Sequence, residues 1–303
     1  MLNLQILGSG AATPTLSRGV TAQYLNFNER KILIDCGEGT QLQLRKFKVK
    51  FQRIQYIFIS HLHGDHYLGL FGLLSSMHLL GRKTDIHIFA PPELEQIMEL
   101  QFRLTYVKLN FNLIFHSVEV KEKTLMFEDN SIEVFAFPLK HRIPCYGYLF
   151  KEKKKERGII KSKIDELKLS IAEIVQLKRS NDVTRESGEV LNHLELTHEP
   201  AKEQSYAFCT DTKYIESLNE IVKDVDILYH EATFTHDLLD RAKATYHTTG
   251  KQAATLAKNA NVKQLILGHF SQRYGDTSEI EQEAKIIFEN TKCVRDGDQF
   301  LLK

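Results

Sequence analysis

Residues 61–66 read H-L-H-G-D-H, four side chains able to bind a metal within six positions, directly after the apolar run "YIFIS". On an extended backbone alternate side chains share a face, so His61 and His63 can address one cation. Gly64 is expected to allow a tight turn, which sends Asp65 and His66 toward a second. Imidazole nitrogen and carboxylate oxygen both suit zinc at about 2.0–2.2 Å, and a catalytic zinc keeps one position for water. Two ligands per ion leave each shell short, so more donors must come from elsewhere in the chain. His141, Asp211 and His269 each follow an apolar, strand-like run. Asp211 could bridge the two ions with its two oxygens. His78, His87, His116, His193, His198 and His236 have no such company and are expected to be ordinary surface or core residues.

The elements that must position these groups are legible as pattern. "LNLQIL", "TAQYLNF", "KILID" and "YIFIS" are short apolar runs split by Gly, Pro and Asn, which predicts strands. Helical periodicity in "YLGLFGLLSSMHLLG", "PELEQIMELQF", "GKQAATLAKNA" and "SEIEQEAKIIFEN" then alternates with the strand-like "DIHIFA", "SIEVFAF", "SYAFC", "VDILYH" and "VKQLILGHF". Such alternation predicts sheets covered by helices on their outer faces. Asp35, His61, Asp211, His230 and His269 all come just after strand-like runs, so they are expected to collect at one edge of the sheets.

Composition bounds the function. The 303 residues carry 40 Lys plus Arg against 39 Asp plus Glu, a net charge of +1 that offers no global footprint for nucleic acid. Any polyanion site must be local, and residues 151–180 are the one basic departure, with ten Lys or Arg against five Asp or Glu. That stretch reads either as a solvated charged hairpin or as a basic arm for a phosphate backbone. Cys36, Cys145, Cys209 and Cys293 form no C-x-x-C pair, which argues against a cysteine zinc site or a disulfide framework. With no apolar run near 20 residues and no leader-like start, we expect a soluble, cytoplasmic chain without a membrane partner.

Taken together, "LGSGAATPT", "LIDCGEGTQLQLRK", "SHLHGDHYLGL", "HRIPCYGYLF", "CTDTKY", "HEATF", "YHTT" and "HFSQRY" resemble ribonuclease Z of the metallo-β-lactamase superfamily. The H-x-H-x-D-H loop marks the superfamily alone, whereas "HEATF", "YHTT" and "HFSQRY" together point to its tRNA-processing branch. The resemblance implies an α/β (α+β) fold, an αββα metallo-β-lactamase sandwich formed by residues 1–303 as one domain. An inserted tRNA-binding arm would occupy residues 151–204. It implies two Zn²⁺ ions per subunit, one held by His61, His63, His141 and Asp211 and the other by Asp65, His66, Asp211 and His269. Asp35 would orient a ligand histidine. It also implies a homodimer with precursor tRNA as substrate. Two features depart from the family: its "PTKERN"-like loop appears here as "PTLSRG", Pro14 to Gly19, and the arm lacks the usual Gly and Pro.

On this reading the reaction is removal of the 3′ trailer, leaving a 3′-hydroxyl on tRNA and a 5′-phosphate on the trailer. Asp65 is the expected proton acceptor. His247 is the expected donor to the leaving oxygen, oriented by Glu231; its alternative role is to cap the helix that follows. Arg273 would bind a phosphate near the cut, and Lys153, Lys154 and Lys155 would grip tRNA far from the metals. The competing reading is a hydrolase of a small phosphodiester or ester, which would share every metal ligand but have no use for the arm.

Overall fold

Runs of β-branched and aromatic residues build two seven-stranded sheets in the computed structural model, which describes residues 1–302. The first half of the chain forms β1 (Leu2–Gly8), β2 (Ala22–Phe27), β3 (Arg30–Cys36), β4 (Tyr56–Phe58), β5 (Ile86–Ala90) and β6 (Leu113–Ser117). Next come β7 (Thr124–Glu128), β8 (Ile132–Leu139) and β9 (Cys145–Glu152), then the short β10 (Gly158–Ile159), β11 (Val183–Thr184), β12 (Val190–Leu191) and β13 (Thr197–His198). The chain closes with β14 (Ser205–Cys209), β15 (Ile227–Glu231), β16 (Gln264–Gly268), β17 (Thr291–Cys293) and β18 (Gln299–Leu302). One sheet has the order β18-β1-β2-β3-β4-β5-β6 and the other β17-β16-β15-β14-β9-β8-β7. In the first, the antiparallel pairs run from β18 to β3 and β3 to β6 are parallel. In the second, β14 to β17 are parallel. Parallel neighbours need crossovers: the four predicted helices supply those from β4 to β5, β5 to β6, β15 to β16 and β16 to β17, while two helices that the pattern did not reveal, Thr40–Lys46 and Leu218–Ile221, lie in those from β3 to β4 and β14 to β15.

Three apolar layers hold this together. Between the sheets, Leu4, Leu25, Phe58 and Phe89 meet Tyr148, Phe150, Tyr206 and Phe208. Phe58 stacks on Phe89 at 4.5 Å and presents its face or edge to Tyr148 at 5.1 Å, the offset arrangements that aromatic quadrupoles favour. Outside the first sheet, helix Gly69–Leu79 buries Leu70, Leu73, Leu74 and Met77, an i, i+3, i+4, i+7 stripe, against Leu33, Ile57 and Ile88. Outside the second, Ala253, Ala254 and Ala257 of helix Gly250–Asn259 pack on Leu228, Leu265 and Leu267. This is the expected αββα sandwich.

The chain divides into two compact units, Met1–Lys151 with Gln204–Lys303, and Glu152–Glu203. The smaller has its own core, Leu169, Leu177, Leu191 and Leu196 with Ile159, Ile164, Leu167, Ile174 and Val183 around them. Its helix Ile171–Lys178 starts with a capping box between Ser170 and Glu173. Its basic character needs correction. The excess in residues 151–180 is cancelled further along, and residues 152–203 hold eleven Lys or Arg and eleven Asp or Glu. Many are paired internally: Lys155 with Glu152, Lys178 and Arg179 with Glu156, and Arg185 with both Glu173 and Glu189.

Candidate metal centre and active site

The carboxyl ends of the parallel strands converge, as ligand sites do in sheets of this kind. Asp35 is the penultimate residue of β3, His61 follows β4, Asp211 follows β14, Glu231 ends β15 and His269 follows β16. Two of these residues sit in strained backbone: Asp35 has φ +55° and His269 φ +57°. Left-handed conformations of residues other than glycine persist where surrounding structure over-determines them, and they cluster at functional sites. Gly64, by contrast, needs no special φ. His63 is extended, and Gly64 is simply the first residue of the short helix Gly64–Tyr67, which carries Asp65 and His66. The expected separation of the two pairs therefore arises from a strand-to-helix change rather than a glycine turn.

Asp211 divides the donors. Its Oδ2 lies 3.7 Å from His61 Nε2 and 3.7 Å from His141 Nε2. Both of those nitrogens are 3.1 Å from His63 Nδ1. Its Oδ1 lies 3.3 Å from His66 Nε2 and 3.0 Å from His269 Nε2, and each of these is 3.4 Å from Asp65 Oδ2. Donors about 2.0–2.2 Å from a tetrahedral ion stand roughly 3.3–3.6 Å apart, close to the spacings in both groups. A third overlapping group, Asp211, His247 and His269, brings His247 beside the second.

Hydrogen bonding shows that these donors fit a cation. His141 Nδ1 donates to the Tyr246 carbonyl and His61 Nδ1 to Ser60 Oγ, which leaves two Nε2 lone pairs aimed at the same His63 nitrogen. His63 has at most one proton there, so it can satisfy one of them. Among the described residues, His66 Nε2 and His269 Nε2 are buried and form no well-aligned hydrogen bond, their polar neighbours being the Asp65 and Asp211 oxygens that a cation would share. Burial and neighbouring imidazoles hold His61 neutral, and burial does the same for His63 and His141, as ligation requires. His66 differs: burial opposes its charge, but Asp211, Asp65 and Asp35 together hold it protonated. A positive charge is wanted at that spot, and an ion would supply it in the proton's place.

Two carboxylates stand behind the donors. Asp35, fully buried, accepts from His66 Nδ1 at 2.7 Å, from Ser60 N–H at 2.7 Å and from Ser60 Oγ at 2.8 Å. Glu231 accepts from His247 Nδ1 at 3.0 Å and from the Thr212 and Thr248 amides at 2.6 and 3.1 Å. Burial alone would depress His247, but the Glu231 carboxylate overrides it and lifts the imidazolium to about 9. The alternative role of His247 as a helix cap fails, because Thr249 fills that position with a capping box to Gln252. Asp65, despite burial, is kept ionised by His66 and His269, and its Oδ2 accepts the Ala12 amide at 2.7 Å.

An open cavity of about 830 Å³ covers these groups. Asp65, His63, His141, Asp211, His247 and His269 form its floor, and Pro14 and Thr15 of "PTLSRG" form part of its wall. Arg273 also lines it, its guanidinium 5.2 Å from the Phe234 ring centre. Arg241, which sequence reading missed, lines it too and rests 5.8 Å from the same ring. Its position six residues before His247 was the available signal. Lys153, Lys154 and Lys155 belong to the smaller unit and are not among the residues lining the cavity. His230 is buried, with Nδ1 turned to the Glu231 carbonyl, and stands apart from the donor groups.

Similarity to known proteins agrees with this geometry. Residues 2–157 match the family described as Anti-Pycsar protein Apyc1, a segment that includes H-L-H-G-D-H but stops short of Asp211, Glu231, His247 and His269. Across nearly its whole length the chain is 45% identical to ribonuclease Z of Bacteroides thetaiotaomicron, over 97% of this chain and 93% of that protein. It is 46% identical to ribonuclease Z of Cytophaga hutchinsonii, over 98% and 95%. The crystal structure of human tRNase Z, short form, superposes with a TM-score of 0.75 at 28% identity, covering 99% of both chains. Since these relatives span both sheets and every donor, where the shorter match spans one half, the chain belongs to the ribonuclease Z family.

Proposed function

We propose that the protein is an endoribonuclease that removes the 3′ trailer from precursor tRNA, using two zinc ions per subunit. One observation carries the reading: a single carboxylate, Asp211, parts six other metal-competent side chains into two groups of three with matching spacing. His61, His63, His141 and Asp211 would hold one ion, and Asp65, His66, Asp211 and His269 the other. Bound there, the pair of ions supplies Lewis-acid polarisation of the scissile phosphate and a water that ionises near neutral pH. Relatives of matching length named ribonuclease Z support the substrate class.

The chain's own residues then move the protons. Water oxygen attacks phosphorus, and Asp65, held by the Ala12 amide, takes the water proton. As the bond from phosphorus to the 3′-oxygen breaks, His247 gives its Nε2 proton to that oxygen, while Glu231 fixes the ring through Nδ1. The products are a tRNA 3′-hydroxyl and a trailer 5′-phosphate. Arg273, joined by Arg241, would bind phosphate beside the cut, since a planar guanidinium matches phosphate oxygens. The inserted unit, with Lys153, Lys154 and Lys155, would contact tRNA away from the ions. Its balanced charge means that exposed individual side chains carry that contact.

A homodimer and a cytoplasmic location complete the proposal. Leu79, Leu80, Leu104 and Tyr106 are exposed on or just after helices Gly69–Leu79 and Glu93–Leu104, which pack on the first sheet, apolar surface suited to a second copy. The four cysteines are buried and unpaired, in keeping with a reducing compartment. No helix among the described residues is long and apolar enough to cross a membrane. The deciding experiment is cleavage of an end-labelled precursor tRNA carrying a 3′ trailer, with and without a chelator. A single chelator-sensitive cut leaving a 3′-hydroxyl is expected; an intact precursor would end the proposal.

A further inference from the structure

Thr233 stands two residues after Glu231 in "HEATF" and is 3% exposed. Its hydroxyl lies 2.6 Å from Glu231 Oε2, 3.0 Å from His269 Nδ1 and 2.9 Å from the His269 carbonyl. His269 Nε2 faces the Asp65 and Asp211 oxygens where a cation would sit; with Nε2 given to a cation, the ring carries its proton on Nδ1 and donates it to Thr233 Oγ1. The hydroxyl has one proton to give, and the Glu231 carboxylate is its nearest and strongest acceptor. Glu231 therefore serves His247 directly and His269 through Thr233.

The other sheet contains the same arrangement. Asp35 takes the His66 proton directly, and it takes the Ser60 hydroxyl, whose oxygen receives the His61 Nδ1 proton at 3.0 Å. Local sequence differs completely between the two cases. Ser60 immediately precedes its histidine, whereas Thr233 is 36 residues from His269. Two buried carboxylates on different sheets, each with one direct and one hydroxyl-relayed imidazole, indicate a requirement of the site rather than an accident of packing. His269 also has the strained φ of +57°, and Thr233 contacts both its ring and its carbonyl.

We propose that Thr233 is a positioning residue: its hydroxyl relays the Glu231 carboxylate to His269, fixing that ring for metal binding and tying it to the carboxylate that orients His247. The inference rests on the reading of His269 as a metal ligand. Without the hydroxyl, the His269 ring loses the acceptor at 3.0 Å that ties its Nδ1 to the Glu231 carboxylate.

The test uses full-length protein stripped by a chelator and titrated with zinc against a chromogenic competitor. Wild-type protein should bind two ions tightly; fewer would overturn the two-ion reading itself and with it this proposal. Given two, T233V and T233A should weaken one binding event about 10–100-fold, the usual effect of losing such a support, and leave the other unchanged. T233S, which keeps the hydroxyl, should restore it. The proposal falls if T233V and T233A bind both ions as wild type does, or if T233S loses as much as they do. Circular dichroism checks folding, and if T233V does not fold, T233A and T233S decide the matter. A double-mutant cycle tests the route: T233V and E231Q should weaken the same event with effects that do not add. Full additivity would show that Thr233 does not act through Glu231.

Discussion

At the scale of single residues, the site is a set of imidazoles whose free nitrogens have nowhere else to go. Asp211 offers one carboxylate oxygen to each donor group, so D211A should cost metal from both, while H63A should cost metal from one. Elemental analysis after dialysis distinguishes them, and a D211A protein that keeps a full complement would remove the bridging role. His247 is close enough to Asp211 and His269 to be a ligand by distance alone. Its Nδ1 is occupied by Glu231 and the helix cap is filled by Thr249, which leaves a proton donor at Nε2. H247A should therefore lower kcat on precursor tRNA by about 10²–10⁴ with metal content intact. Loss of metal from H247A would make it a ligand instead.

At the scale of elements, the insertion can be separated from the sandwich by its attachment points. Lys151 and Ser205, at either end of the inserted residues, are register partners on the antiparallel pair β9 and β14. The chain therefore leaves and re-enters at neighbouring positions. The inserted unit has its own small core. Replacing residues 152–203 by a short hairpin turn should leave metal content and a cooperative melt, read by elemental analysis and circular dichroism. KM for precursor tRNA should rise by an order of magnitude or more. An unchanged KM would show that the unit does not contact the substrate.

For the whole molecule, net charge is +1 and the inserted unit is balanced, so attraction to tRNA must come from placement of a few cations rather than a general field. Each phosphate contact to single-stranded RNA contributes about 0.7 to the slope of log affinity against log salt. R241A and R273A should each reduce the salt slope of 1/KM for precursor tRNA by about that amount, and the double variant by about twice as much. Identical slopes would mean that neither guanidinium meets a phosphate. The cavity these arginines line is built by loops from both sheets, so its charge pattern exists only in the folded chain.

What the sequence by itself determined was what is local. The period-two and period-3.6 runs specified nine of the fourteen strands of the two large sheets and four of the helices that cover them, though not β6, β7, β9, β17 or β18, and H-L-H-G-D-H placed four metal-competent side chains together before any folding. The motif resemblance supplied His141, Asp211 and His269, which spacing alone leaves open. The balance of the inserted unit was also present in the sequence, but a window ending at residue 180 cut it off before the compensating acids. Other features were decided by tertiary structure alone. Ser60 and Thr233 are ordinary hydroxyls in a linear reading, because a hydrogen bond from residue 233 to residue 269 depends on β15 and β16 lying side by side. Arg241 joins Arg273 because both reach the ring of Phe234. The strain at Asp35 and His269 arises where strands from separate parts of the chain end at one point. Local propensity selects elements, whereas side-chain proton partners and backbone strain are set by long-range packing, which one-dimensional spacing does not encode.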